Sequence, residues 1–143
     1  LCDSLSNISE FAKINDEAYR LIKRLIPGPY TFILPASKQV PKFAQNAKRS
    51  TAGIRVPNHL LSQQILKAMG TPIIGISARS KEQSPNLTND EIIEKYSKLV
   101  DVVVISDEYN YVGESTILDL TNDEFVIQRE GAGMEKLQEY VRA

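Results

Sequence analysis

Cysteine and histidine each occur once in 143 residues, as Cys2 and His59. That scarcity excludes an intrachain disulfide framework and any multi-cysteine metal site, and it leaves little for zinc. An excess of one charge is also lacking, because 17 Lys and Arg face 18 Asp and Glu for a formal net charge of -1. Binding to nucleic acid driven by bulk charge is therefore disfavoured, although local basic patches stay open. Long hydrophobic runs are missing too. A stretch such as Val100 to Ile105, apolar but for Asp101, is far shorter than the roughly 20 residues of a membrane-spanning helix. The N-terminus lacks the basic-then-apolar layout of a signal peptide, so the expectation is a soluble cytoplasmic protein with no membrane contact.

What is present suffices for one core: 42% of the residues are hydrophobic, and the length suits a single domain spanning residues 1–143. Ala18, Leu21, Ile22 and Leu25 recur at i, i+3, i+4 and i+7, which predicts a helix over Asp16 to Ile26, capped by Asn15 or Asp16 and stopped by Pro27-Gly28-Pro29. A strand is expected over Tyr30 to Leu34, followed by a polar loop, Pro35 to Ser50, that carries Lys38, Lys42, Lys48 and Arg49. Gly53 to Val56 reads as a short strand, and Leu60 to Met69 as a helix ended by Gly70. Further strands are expected at Pro72 to Ile76 and Val100 to Ile105. Thr88 and Glu91 have capping-box spacing and open a helix through about Tyr96. Ser115 to Leu120 and Phe125 to Arg129 flank a turn at Thr121 to Glu124, which predicts an antiparallel hairpin before a last helix, Met134 to Val141. Strands separated by helices, with one hairpin, point to an α/β (α+β) fold with a mixed sheet and helices packed on it. Leu1-Cys2-Asp3 reads like a strand end entering a turn.

Four short motifs carry the candidate chemistry: PGPYT (Pro27 to Thr31), GIRVP (Gly53 to Pro57), ISARS with the following Ser84-Pro85, and ESTILDL running on to REG at Gly131. Each pairs a turn-forming Gly or Pro with a strand and leaves a hydroxyl or an arginine at the strand end, as open α/β sheets do when they bind ligands. Each also has a plainer reading. Pro27, Gly28 and Pro29 could simply end a helix. Arg55, between Ile54 and Val56, is costly in an apolar strand unless it meets a polar site, yet an exposed sheet face would also satisfy it. Ser77 could bind phosphate at a strand end or lie in an ordinary loop. Ser115 and Thr116 could form a turn that opens a hairpin. Asp119, Asp123 and Glu124 read as a solvated hairpin in preference to a metal site. His59 reads as an exposed helix-start residue, and Cys2 as a small buried one. Gly131 and Gly133 would permit close backbone approach or left-handed turns.

Taken together and in this order, the motifs resemble the YrdC/YciO family of threonylcarbamoyl-AMP synthases and relatives. The resemblance implies a YrdC-like twisted mixed sheet. It further implies that the family's N-terminal strands, with a conserved lysine and arginine, lie outside these residues, which would be the C-terminal two thirds of the domain. The implied reaction joins L-threonine, bicarbonate and ATP, with Mg2+, into threonylcarbamoyl-AMP and pyrophosphate for tRNA modification. Matching motif positions imply ATP contacts from Thr51, Ser77, Ser84 and Arg129, and threonine contacts from Arg55, Gly75 and Ser115. Thr31 and Arg79 are further pocket candidates, and no residue is assigned as catalytic or as a metal ligand. Where the family carries Ser-Ala-Asn, this chain has Ser77-Ala78-Arg79. An arginine loses a neutral amide and adds a charge, which opens a second reading as a YciO-like paralogue with the same pocket and a different reaction. A third reading is RNA binding, to tRNA or double-stranded RNA, through the Lys38 to Arg49 cluster. Contact with the tRNA threonylcarbamoyl transferase machinery belongs to the synthase reading. The 143 residues alone are expected to bind nucleotide weakly without catalysing.

Overall fold

The computed structural model describes residues 1–79, 87–106 and 111–143. They fall into two compact units, Leu1–Ile74 with Asn110–Ala143, and Gly75–Tyr109. The first unit contains α1 (Leu5–Phe11), α2 (Asp16–Leu25), β1 (Tyr30–Pro35), a 3-10 turn (Lys42–Ala44), β2 (Thr51–Ile54), α3 (Leu60–Met69), β3 (Thr116–Asp119), β4 (Val126–Arg129) and α5 (Met134–Arg142); the second contains α4 (Asn89–Tyr96). No described helix is long and apolar enough to cross a membrane.

The expected mixed sheet is present, in the order β2-β1-β3-β4. β1 pairs antiparallel with β2 and parallel with β3, and β3 pairs antiparallel with β4, with a register shift between Ile117 and Leu118. Burial alternates along β1, so Tyr30, Phe32 and Leu34 enter the core while Thr31 and Ile33 lie on the opposite, partly exposed face. Against the core face packs α2, through the predicted stripe Ala18, Leu21, Ile22 and Leu25. Asn15 caps that helix by accepting the Ala18 amide, with Asp16 and Glu17 in the first turn and Lys23 and Arg24 in the last, each sign at its favoured end of the helix dipole. Leu118, Leu120 and Leu137 complete the core from β3, the residue after it and α5.

Four expectations need correction. Pro72 to Ile76 forms no strand: Leu1 and Ile73 exchange backbone hydrogen bonds of 2.7 and 3.1 Å, and the described pairing stops there, with Ile74 and Ile76 exposed. Val100 to Ile105 is likewise exposed and unpaired among the described residues. An apolar pattern supplies strand propensity, but a strand exists only against a partner ladder. The strand expected over Gly53 to Val56 runs instead over Thr51–Ile54, because the ladder with β1 ends at the Phe32–Ile54 pair and the Val56 carbonyl accepts the Gly28 amide. Arg55 thus sits just past the strand. Beside these stands α1, for which Ser4 accepting the Asn7 amide, with Leu5 and Ile8 behind it, carries the signal. His59 does start a helix, as the cap of α3 through Nδ1 and the Ser62 amide, but it is half-buried. Gly70 ends that helix in the left-handed region at φ 69°.

The long β1–β2 loop is fastened to the end of β3. Arg49 donates to Asp119 Oδ2 at 2.9 Å and to Thr121 Oγ1 at 3.0 Å, which withdraws it from the basic cluster. Asp119 is buried and also accepts from the Thr121 amide and hydroxyl and from Gln128. Desolvation pushes its carboxyl up, but the Thr121 hydrogen bonds and Arg49 outweigh that and hold it below its ordinary value. A lowered folded-state value means the stabilisation is complete above the ordinary carboxylate range and is lost as pH falls through the lowered one. Urea unfolding at neutral pH should show Asp119→Asn destabilised by about 2 kcal/mol, because it removes charge-assisted bonds to buried oxygens. The difference from the parent should shrink toward pH 3, and a constant difference across pH would refute the ionic origin.

Candidate functional site

The Pro27-Gly28-Pro29 turn is where three of the motifs meet. The Gly28 amide donates to the Val56 carbonyl at 3.0 Å, and the Thr116 amide donates to the Pro29 carbonyl at 3.0 Å. One turn therefore holds the ends of both GIRVP and EST. Gly28 is required sterically, since a Cβ there would lie 2.7 Å from the Leu25 carbonyl oxygen and 2.8 Å from the Tyr30 ring. The fourth segment joins through Thr116, which is fully buried: its hydroxyl donates to the Ala132 carbonyl at 2.8 Å and accepts the Gly131 amide at 3.1 Å. Tyr30 adds a hydrogen bond from its phenol to the Gly133 carbonyl at 2.7 Å, and burial pushes that phenol up so that it stays a donor.

This packing presents a polar cluster at the sheet end. Ser115 Oγ and Thr31 Oγ1 are 2.8 Å apart and hydrogen-bonded. The Arg129 guanidinium donates through Nε and Nη2 to the Ser115 carbonyl at 3.0 and 2.9 Å, and through Nη2 to Ser115 Oγ at 3.1 Å. Arg129 Nη1 lies 3.8 Å from Glu114 Oε2. Three sequence candidates, Thr31, Ser115 and Arg129, are thereby brought into one hydrogen-bonded group. Thr31 opens onto the partly exposed face of the sheet, where Gly53 of the neighbouring strand is exposed and a Cβ would meet only the Thr31 methyl at 3.4 Å. Burial alternates through Ala52, Gly53, Ile54, Arg55 and Val56, which carries Arg55 to the same face as Gly53. Arg55 Nε is buried and has no hydrogen-bond partner among the described residues. A buried guanidinium donor left unpaired is costly, and the forked geometry suits a carboxylate or phosphate. Thr51 is buried at the start of β2, opposite Pro35.

The other candidates lie elsewhere. Gly75, Ser77 and Arg79 belong to the second unit, and Ser84 lies outside the described residues. Ser77 Oγ donates to the Arg79 carbonyl at 2.7 Å, while Arg79 donates to the Leu87 carbonyl and to Asn89. Cys2 is buried, with its thiol pushed up by desolvation, which makes it a packing residue and a poor nucleophile. No three His, Cys, Asp or Glu side chains among the described residues converge to hold a metal ion. Sequence reasoning passed over Glu114 as the partner of Arg129 and the hydroxyl of Thr116 as the tie between motifs. Both stand inside the quoted EST motif, and only the fold shows which way they face.

A family model named Sua5_yciO_yrdC and described as "Telomere recombination" matches residues 1–131. The chain belongs to this family. Among relatives of the Sua5/YciO/YrdC family, an uncharacterized protein of Haemophilus influenzae is 38% identical over 93% of this chain and 65% of its own length. The uncharacterized protein YciO of Escherichia coli is 36% identical with the same coverage, and the crystal structure of E. coli YciO superposes with a TM-score of 0.84. The chain thus spans 65% of the length of these curated relatives. Sua5 from Pyrococcus abyssi, crystallised with L-threonine, is 29% identical over 98% of this chain and 42% of its own, also with a TM-score of 0.84. A P. abyssi protein named threonylcarbamoyl-AMP synthase is 29% identical over 90% of this chain and 38% of its length.

Two glycines of this Sua5/YciO/YrdC chain, Gly53 in β2 and Gly131 just past β4, differ in the space around them. At Gly131 a Cβ would collide with the Glu114 and Ser115 carbonyl oxygens, whereas Gly53 has room. Thermal unfolding should find Gly131→Ala destabilised by about 1–3 kcal/mol through overpacking. Gly53→Ala should stay within about 0.5 kcal/mol of the parent. Equal effects would contradict the geometry.

Proposed function

We propose that this chain forms the amino-acid and nucleotide pocket of an L-threonylcarbamoyladenylate synthase-like protein acting in the cytoplasm. The observation that carries the reading is the buried, unpaired Nε of Arg55 on the sheet face that also bears Thr31 and Gly53. An amino-acid carboxylate would pair that guanidinium in two-point fashion. Ser115, with its hydroxyl between Thr31 and Arg129, would hold the amino-acid side chain. Thr51, Ser77, Ser84 and Arg129 would contact ATP. The synthase step joins a carbamate, formed when the threonine amine adds to bicarbonate with loss of water, to the α-phosphorus of ATP, and pyrophosphate leaves as the new P–O bond forms. Cationic groups stabilise the charge that develops there. A magnesium ion would arrive mainly on the ATP phosphates, as is usual for that cation, since the described side chains form no cage for it. The bound L-threonine of P. abyssi Sua5 supports the amino-acid half of the reading.

A second reading keeps the pocket and changes the reaction, as in a YciO-like paralogue. It is favoured by the engagement of Arg79 with Leu87 and Asn89 and by the 36% identity to the uncharacterized protein YciO of E. coli.

Mass spectrometry of a reaction with ATP, bicarbonate, L-threonine and Mg2+, run with these residues in a protein of the relatives' full length, should detect threonylcarbamoyl-AMP. Arg55→Ala should lower the yield about 100-fold, from loss of a charge-assisted clamp of about 3 kcal/mol. Bound ATP without product would select the paralogue reading. Absence of both would reject the nucleotide pocket.

A further inference from the structure

The second unit contains a local scaffold that the family motif does not explain. The first and last residues of α4, Asn89 and Tyr96, are almost two full helical turns apart, which puts both on one face. Both reach the Ser77–Arg79 turn. Tyr96 donates its phenol to the Ala78 carbonyl at 3.2 Å, and Asn89 Oδ1 accepts from Arg79 Nη2 at 2.9 Å. Arg79 Nε adds a bond to the Leu87 carbonyl at 3.3 Å, just ahead of the helix. The start of α4 is itself fixed, because Thr88 and Glu91 form a complete capping box. Within the turn, the Ser77 hydroxyl closes on the Arg79 carbonyl at 2.7 Å.

We infer that α4 splints the Ser77–Arg79 turn, and that Arg79 is a positioning residue that acts through Asn89 and Leu87 to set Ser77 for its ligand. A guanidinium suits this work because its planar fork reaches two acceptors at once; an ammonium or the shorter asparagine amide does not span them. The exchange of the family's asparagine for arginine therefore changes how the serine turn is held. This inference rests on the proposed reading that Ser77 meets the nucleotide.

The test is a double-mutant cycle read by ATP titration calorimetry, with amide hydrogen exchange alongside. Arg79→Ala and Asn89→Ala should each weaken ATP binding about tenfold, the cost of a hydrogen bond to a charged group, and the double variant should be no worse than the weaker single. Arg79→Lys should not rescue, and the Glu91 and Ile92 amides should exchange faster in Arg79→Ala. If Asn89→Ala binds ATP like the parent while Arg79→Ala weakens binding and flattens its salt dependence, Arg79 contacts phosphate directly and the inference is overturned. Should the parent not bind ATP, the nucleotide reading fails and exchange alone decides: faster exchange keeps the splint, and unchanged exchange overturns it.

Discussion

The rest of the site depends on one buried hydroxyl, that of Thr116. Its oxygen accepts the Gly131 amide and donates to the Ala132 carbonyl, while its own amide donates to the Pro29 carbonyl. Two chain segments distant in sequence therefore converge on a residue with no exposure to water. In such a place each unmade hydrogen bond costs its full desolvation penalty, so the arrangement is all or nothing. The requirement for glycine at 131 follows from the same closeness, because no side chain fits between that backbone and the Glu114 and Ser115 carbonyls. Arg129 leaves β4 beside this junction, which is why its guanidinium can hold both the carbonyl and the hydroxyl of Ser115.

The apolar core and the candidate site residues Thr31 and Arg55 occupy opposite faces of the sheet. On one face Tyr30, Phe32 and Leu34 pack against the apolar stripe of α2, and this burial supplies the driving force. Thr31, Gly53 and Arg55 take the alternate positions and are left partly open. Period-two geometry ties the two sets together, since a slip of one residue would exchange them. The Asp119–Arg49 tie guards that register from outside the core by fastening the β1–β2 loop to the end of β3. Thr31, Gly53 and Arg55 thus stand where the sheet is not needed for the core.

Much of this was legible in the sequence. The α2 stripe with its Asn15 cap, the Gly70 stop, the Thr88–Glu91 box and the hairpin after Thr121 are local signals, and each appears where its residues place it. The family resemblance rested on short motifs and is matched by the family model over residues 1–131. What failed was non-local. Pro72 to Ile76 and Val100 to Ile105 carry strand-like composition, but the described residues offer neither a ladder, apart from the Leu1–Ile73 pair. Arg55 shifted out of its strand because the Gly28 amide, distant in sequence, claimed the Val56 carbonyl. Thr31, Ser115 and Arg129 could be named one by one, yet their hydrogen bonds to each other follow only from the parallel pairing of β1 with β3 and the antiparallel return of β4. Arg79 was legible as an unusual residue; its partner Asn89 was not.

The central claim is that the open sheet face with its unpaired Arg55 Nε receives an amino acid. An NMR titration of the protein with L-threonine tests it directly. The expected result is saturable shifts at the amides of Thr31, Gly53, Arg55 and Ser115 and at the Arg55 Nε–H, with acetate too weak a competitor to displace it. Shifts confined to other surfaces, or none at millimolar L-threonine with the fold intact, would contradict the assignment of this face as the amino-acid pocket.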